Sequence, residues 1–163
     1  MAERWVVNAS PLIVLSKINR QHLLTELAAE TVIPEAVALE IEAGPEDDPA
    51  RQFLRSASLP IIAVPTEPVI LAWDLGAGET SVLSYVFHHP DWKAVIDDGM
   101  ARRCARTFNV PLIGTLGVII RARQSGLIEA SVPLLKSMQA VGLRLDDNVI
   151  RDALRRTTGE LWE

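Results

Sequence analysis

Oxygen-bearing side chains follow two apolar runs of this sequence, at points where strands of a parallel sheet would end. Asn8 follows the run at residues 5–7, and Asp97 and Asp98 follow the run at 94–96. Glu40 and Glu79 fall on predicted helices beside these ends. Functional sites of open parallel sheets form outside the carboxyl ends of the strands, so we expect these side chains to converge. Carboxylate and amide oxygens suit Mg²⁺ or Mn²⁺, and the pattern therefore predicts a divalent-metal site.

Three of the polar residues in this region also have simpler structural interpretations. Asp98 would cap a helix that begins at Gly99, as aspartates at such junctions commonly do. Glu79 would complement the helix dipole in a first helical turn, and Ser10 would be the N-cap of a helix after Pro11. Two adjacent acids exceed the need of one cap, so the metal-ligand and capping interpretations of the Asp97-Asp98 pair both stay open.

Glu40 occupies an informative position on its predicted helix. At about 100° per residue it flanks the apolar stripe of Val37 and Ile41, whereas Glu35 and Glu42 fall toward solvent. A carboxylate beside a buried stripe is usually paired or bound to a metal, because burying it alone is costly. This argues for a functional role of Glu40.

Arginines follow the acidic corner closely. Arg102 and Arg106 are four residues apart and share a helix face. They are candidates for contacts to phosphates near a metal, and a solvated helix face is the alternative.

The elements that must position these residues alternate regularly along the chain. Apolar runs predict five short strands, and helical patterns separate them, which is typical of a parallel sheet covered on both faces. The predicted strands are residues 5–7, 31–33, 59–64, 94–96 and 110–113. The predicted helices are 12–27 (one or two, broken near Asn19), 34–43, 50–56, 79–88, 99–107, a helix capped by Gly114-Thr115 and ending at Gly126, 132–141 and 147–157.

Length and composition limit the class of protein. At about 150 residues per domain, 163 residues predict a single domain over 1–163, with C-terminal helices at about 130–157 packed on or extending from it. The chain is 48% hydrophobic with a net charge of −5, which excludes a disordered chain and a strongly basic coat for DNA. With one cysteine, no signal-peptide pattern and no apolar stretch of membrane-spanning length, we expect a cytoplasmic protein without membrane association.

Five segments, taken in order, resemble the PIN-like proteins related to VapC toxins. They are VVNASPLIVLSKI, IPEAVALEI, LGAGETSVLSYVF, VIDDGMARRCA and VPLIGTLGVIIRARQSGLI. The similarity is strongest to a VapC-related branch of nucleic-acid-binding proteins that contain a PIN domain, and it runs from about Trp5 to Glu160.

The resemblance implies a three-layer PIN fold and a ribonuclease that depends on Mg²⁺ or Mn²⁺. It assigns the metal site to Asn8, Glu40, Glu79 and Asp97 or Asp98, with Ser10 as the small hydroxyl residue that supports the first ligand. One or two ions would activate water for in-line attack on a phosphodiester. VapC-type relatives usually form homodimers that a separate antitoxin chain holds inactive.

Asn8 departs from the family pattern, which has aspartate at this position. Asparagine offers a carbonyl oxygen but no negative charge, so it should weaken metal binding. The alternative function is therefore a catalytically weak PIN-fold module that binds nucleic acid or regulates. A purely protein-binding role, suggested by the apolar stretch 111–120, ranks below both.

Overall fold

The computed structural model describes residues 2–56 and 59–163, which form five strands surrounded by helices. The strands are β1 (Arg4–Val7), β2 (Glu30–Pro34), β3 (Ile61–Ile62), β4 (Lys93–Val95) and β5 (Leu112–Ile113). They pair in parallel throughout, in the order β3-β2-β1-β4-β5. This confirms the predicted α/β fold with a central parallel sheet.

The central strand is buried on both faces. Trp5, Val6 and Val7 of β1 are all buried, and successive residues of a strand point to opposite faces of the sheet. Helices must therefore cover both faces, which gives the three-layer arrangement. The described helices are α1 (Ala9–Lys17), α2 (Leu23–Glu26), α3 (Glu35–Glu42), α4 (Pro49–Ser56), α5 (Pro68–Leu71), α6 (Ala77–His88), α7 (Gly99–Thr107), α8 (Thr115–Gln124), α9 (Val132–Ala140) and α10 (Asp147–Arg156).

The strand order changes direction around β1. The chain builds β2 and β3 on one side of β1 and then places β4 and β5 on the other side. Residues that follow β1 and β4 consequently meet at a switch point, where open parallel sheets form crevices. The pairing of Val7 with Val95 and the bond from the Asn8 backbone N–H to the Val95 carbonyl (3.0 Å) align these two strand ends.

Most predicted helices agree with the structure to within a few residues, including the break near Asn19. That residue has a φ of 57°, a left-handed conformation that ends α1 before α2 begins. The predicted strands at 59–64 and 110–113 were too long, since β3 and β5 at the two edges of the sheet contain two residues each. The short α5 was not predicted, because four residues are too few for a helical period to show.

The prediction that Ser10 caps the first helix was wrong. Asn8 is the N-cap of α1, with extended backbone at φ −79° and ψ 167°, and the helix already begins at Ala9. The strand therefore passes into the helix with a single residue between them. Ser10 lies inside the first turn with an exposed side chain.

The C-terminal helices contribute to the same hydrophobic core as the sheet. Buried side chains from this region are Leu135, Met138, Leu143, Ile150, Leu154 and Trp162. The single-domain organisation stays a prediction. Within the described ranges, no helix is both long and apolar enough to cross a bilayer.

Candidate metal centre and nucleic-acid interface

The carboxyl ends of β1 and β4 open into a pocket of about 340 Å³, here called the acidic pocket. Five of the predicted site residues line it together with a segment from the loop between α9 and α10. The lining residues are Asn8, Ser10, Glu79, Asp97, Asp98, Gly99, Gly142, Leu143 and Arg144. The convergence expected from the strand ends is therefore observed for all of the predicted residues except Glu40, which lies beside the pocket.

Asn8 and Glu40 approach each other across Gly78 of α6. A Cβ atom at position 78 would lie 3.3 Å from Asn8 Oδ1 and 3.8 Å from Glu40 Oε1. Asn8 is 4% exposed, and its Oδ1 has no hydrogen-bond partner among the described residues. Leaving a buried amide oxygen without a hydrogen-bond donor costs free energy. The Asn8 Oδ1 therefore keeps an unused acceptor position beside the acidic side chains.

Glu79 lies in the first turn of α6, as the dipole interpretation expected, but its surroundings are dominated by burial and negative charge. Burial raises the pKa of this carboxyl above its ordinary value, and the charges of Asp98 and Glu40 raise it further. A hydrogen bond from the backbone of Gly76 opposes the shift. Asp98 and Glu40 are therefore both close enough to Glu79 for their charges to act on it.

The two aspartates after β4 are held in different ways. Asp98 is the N-cap of α7 and accepts a hydrogen bond from the backbone N–H of Ala101 at 3.0 Å. Asp97 accepts from the backbone N–H of Thr115 at 2.8 Å and from the Thr115 hydroxyl. The capping interpretation of Asp98 is thus confirmed, and both carboxyl groups still line the acidic pocket.

The interpretation of Glu40 as a carboxylate at a buried stripe was wrong. Val37 and Ile41 are buried, but Glu40 is exposed. Burial cost therefore does not argue for a partner of Glu40, and its position beside Asn8 and Glu79 does. Glu42 lies toward solvent as expected, with its side chain 38% exposed, and pairs there with Arg51 at 3.2 Å and Arg55 at 3.1 Å.

The donor set suits a hydrated hard cation better than a closed metal cage. Within residues 2–56 and 59–163, no three His, Cys, Asp or Glu side chains are grouped closely enough to hold one ion. Mg²⁺ usually keeps several waters and is held by only one or two carboxylates, so such a grouping is not required. The unpartnered Oδ1 of Asn8 beside the repelling carboxylates of Glu40 and Glu79 fits an ion of this kind.

Arg102 and Arg106 lie on the far side of Asp97 rather than inside the acidic pocket. They line a second pocket of about 490 Å³, here called the arginine pocket, which shares Asp97 and Arg144 with the first. Arg102 is half-buried, and its Nη1 donates to the Ile96 carbonyl at 3.1 Å. Burial and the nearby Arg106 lower the pKa of Arg102, whereas Asp97 opposes this.

Residues that the sequence did not single out complete the site. Thr115 fixes Asp97, Gly78 makes room for Asn8 and Glu40, and Arg144 stands between the two pockets. Arg144 lies in a loop far along the chain from the strand ends, and no spacing connects it to them. The sequence does contain an indication of Gly78, because the LGAGE segment places this glycine near a helix start and immediately before the candidate acid Glu79.

Fold and site define a parallel α/β protein with an oxygen-lined acidic pocket at the switch point of its sheet. A family model described as PIN domain matches residues 4–159, and the chain belongs to the PIN domain family. The resemblance noted in the sequence is thereby confirmed at the level of the family. The PIN domain is a nuclease-type fold, and its members generally depend on divalent metals and bind nucleic acid. A comparison with curated proteins gave no match.

Proposed function

We propose that the protein is a ribonuclease that hydrolyses RNA phosphodiesters with Mg²⁺ or Mn²⁺ at the acidic pocket. The observation that carries this proposal is the buried, unpartnered Oδ1 of Asn8 next to mutually repelling carboxylates. Such an arrangement is stabilised by a cation. Membership of the PIN domain family supports the same chemistry.

In this proposal Asn8, Glu40 and Glu79 hold the ion, with Asp97 and Asp98 completing the acidic surround. The bound ion would supply positive charge and Lewis acidity toward a phosphodiester. Glu79, with one carboxylate oxygen toward the ion, would keep the other to accept a proton from an attacking water. Asp97 is positioned by Thr115, which donates a hydrogen bond to each of its carboxylate oxygens. Ser10 contributes an exposed hydroxyl at the pocket rim.

Cleavage of a mixed RNA in Mn²⁺, Mg²⁺ or EDTA tests the proposal. We expect EDTA to abolish cleavage, and Glu79→Gln to lower it by at least about 100-fold, the range typical of a lost acid or base. Asp98→Asn separates charge from capping, because asparagine caps a helix about as well as aspartate. It should keep the melting temperature and lower cleavage. Asp47→Asn, in the exposed loop before α4, is the matched control and should cleave normally.

Unchanged cleavage in both carboxylate variants would exclude the proposed centre. Complete absence of cleavage in cleanly folded protein would instead favour the alternative, a PIN-fold module that binds RNA without hydrolysing it. Asn8 is the observation behind that alternative, since it supplies no charge to the site. The alternative predicts salt-sensitive RNA binding in the absence of metal.

We further propose that the protein is the toxin of a VapBC-like pair and acts as a homodimer. The VapC-like segments identified in the sequence support this assignment. Expression of the wild-type chain should arrest growth, whereas Glu79→Gln should not, and a small cognate antitoxin should restore growth. Sedimentation of the purified chain tests the dimer directly. Growth without arrest at a high level of active protein would contradict the toxin role.

A further inference from the structure

The arginine pocket combines positive charge with an apolar wall. Four guanidinium groups reach it from three different parts of the chain: Arg102 and Arg106 from α7, Arg121 from α8 and Arg144 from the α9–α10 loop. Aliphatic side chains of β5, α8, α10 and the α9–α10 loop form most of the remaining surface, among them Leu112, Leu116, Val149 and Leu145, and Asp97 is the one carboxylate among the described lining residues. A ligand for this pocket should therefore carry both an anion and an apolar surface.

The four arginines differ in how far their charge is already compensated. Arg121 forms an ion pair with Glu3 at 2.6 Å, and Arg102 donates to the Ile96 carbonyl. Arg106 and Arg144 are exposed and have no carboxylate within salt-bridge distance in the part of the chain that the structure describes. In a chain with a net charge of −5, two uncompensated arginine side chains lining one pocket favour a bound anion.

The aliphatic side chains that form the wall of this pocket are partly exposed to solvent. Val149 of α10 is 52% exposed although it lines the pocket, and Leu112 and Leu116 are only partly buried. The volume of about 490 Å³ lies within the roughly 300–1,000 Å³ range of small-ligand sites. This space suits one nucleotide and is far too small for a duplex.

The arginine pocket adjoins the acidic pocket, since Asp97 and Arg144 line both. We propose that the arginine pocket binds one unpaired nucleotide of a single-stranded RNA next to the scissile phosphate. Arg106 and Arg144 would contact the phosphate of this nucleotide, and the side chains of Leu116 and Val149 would pack against its base. The inference rests on the proposed function, because the acidic pocket then holds the neighbouring phosphodiester. RNA is commonly recognised through unstacked bases of single strands, which agrees with this geometry.

Binding of a short fluorescently labelled single-stranded RNA in EDTA tests the proposal without cleavage. Arg106→Ala and Arg144→Ala should each weaken binding several-fold. Each should also lower the slope of log K against log salt by about 0.7, the contribution of one single-strand phosphate contact. The matched controls are Arg103→Ala on the same helix and Arg155→Ala on α10, which remove the same charge outside this pocket. Both controls should keep the wild-type slope.

The base contact is tested separately from the charge. An RNA series with one abasic nucleotide at successive positions should show one position where loss of the base weakens binding several-fold. Val149→Asn should remove that position's effect, whereas Val69→Asn, at a comparably exposed valine of α5, should retain it. Because the abasic series changes the ligand, its result does not depend on the folding of any variant.

Several results would overturn the proposal. Absence of RNA binding, equal losses in the pocket and control arginine variants, a flat abasic series, or equal affinity for the same RNA as a duplex would each do so. Cleavage that is normal in Arg144→Ala would reject this subsite and leave the nuclease standing. Base-dependent binding without any cleavage would reject the nuclease and leave the subsite standing.

Discussion

At the scale of single residues, the residue type at position 8 matters most for the proposed metal binding. The amide of Asn8 replaces a carboxylate in the family pattern, and its Oδ1 is buried without a donor. An amide binds a cation through a dipole rather than a charge, which lowers affinity but also lowers repulsion from Glu40 and Glu79. In the proposed metal centre, asparagine at position 8 would therefore leave the metal-free protein more stable than aspartate would and bind the ion more weakly.

Asn8→Asp should reverse this compromise. In EDTA we expect a lower melting temperature, because a buried carboxylate then faces two others. With Mn²⁺ or Mg²⁺ the variant should gain more in melting temperature than the wild type, and its cleavage should be equal or higher. Thermal denaturation across a metal titration measures this. An equal metal-induced gain in both proteins would contradict a ligand role for residue 8.

Glu79 should give the metal-free protein a characteristic dependence on pH. Its folded-state pKa lies above the ordinary value of 4.5, so the folded protein holds more protons than the unfolded chain between these two values. The contribution of Glu79 to the free energy of unfolding is fully present below pH 4.5 and is lost as the pH rises through the folded-state pKa. Glu79→Gln should therefore be more stable than the wild type near neutral pH in EDTA, and the advantage should shrink on acidification. Melting curves from pH 4 to 7 measure the difference.

At the scale of elements, the contact between α6 and α3 decides whether the site can assemble. Gly78 of α6 lies against Val37 of α3, and a Cβ there would be 3.2 Å from Val37 Cγ2. The φ of Gly78 is not positive, so the backbone conformation does not require glycine. Glycine is needed because a side chain would prevent this close approach. The helix that carries Glu79 is thereby brought against Asn8 and Glu40.

Gly78→Ala should lower activity more than stability. Alanine gains about 1 kcal/mol of helix propensity, which offsets part of the crowding against Val37 and Asn8. We expect a change of roughly 1 kcal/mol or less in unfolding free energy and a clear loss of cleavage. Full activity in Gly78→Ala would show that this contact does not set the site geometry.

At the scale of the whole molecule, the C-terminal segment closes the structure around the pockets. Trp162 is 6% exposed, and its indole N–H donates to Asp147 Oδ1 at 3.1 Å. Lys136 lies over its ring at 4.4 Å from the centroid. These contacts tie the chain end to α9 and α10, and the loop between those helices supplies Arg144.

Trp162→Ala should destabilise the protein by about 3 kcal/mol, the usual cost of truncating a buried tryptophan. The neighbouring Leu161 is 79% exposed, so Leu161→Ala should be close to neutral. Urea unfolding compares the two variants directly. The Trp162 variant should also bind RNA more weakly at temperatures where it stays folded, because the wall of the arginine pocket loosens. Equal stability of the two variants would mean that the tail contributes little to the core.

The sequence by itself determined the number and order of the strands, most helices and the acidic residues of the candidate site. These depend on local patterns: apolar runs end in polar residues, and caps and prolines mark helix ends. Parallel pairing then follows from alternation of strands and helices, which is why Asn8, Glu79, Asp97 and Asp98 were expected at one edge. The brief strand β3 and the start of α1 at Ala9 were not predictable, since edge pairing and strand-to-helix geometry set them.

Only the tertiary structure decided what surrounds those residues. The exposure of Glu40, the hold of Thr115 on Asp97 and the place of Arg144 all depend on elements distant in sequence. Arg144 lies between the acidic and arginine pockets because the C-terminal helices fold back beside β5 and α8. The type and charge of each side chain can be read from the sequence. Whether that charge is compensated depends on which distant groups lie within a few ångströms, and long-range packing alone sets those distances.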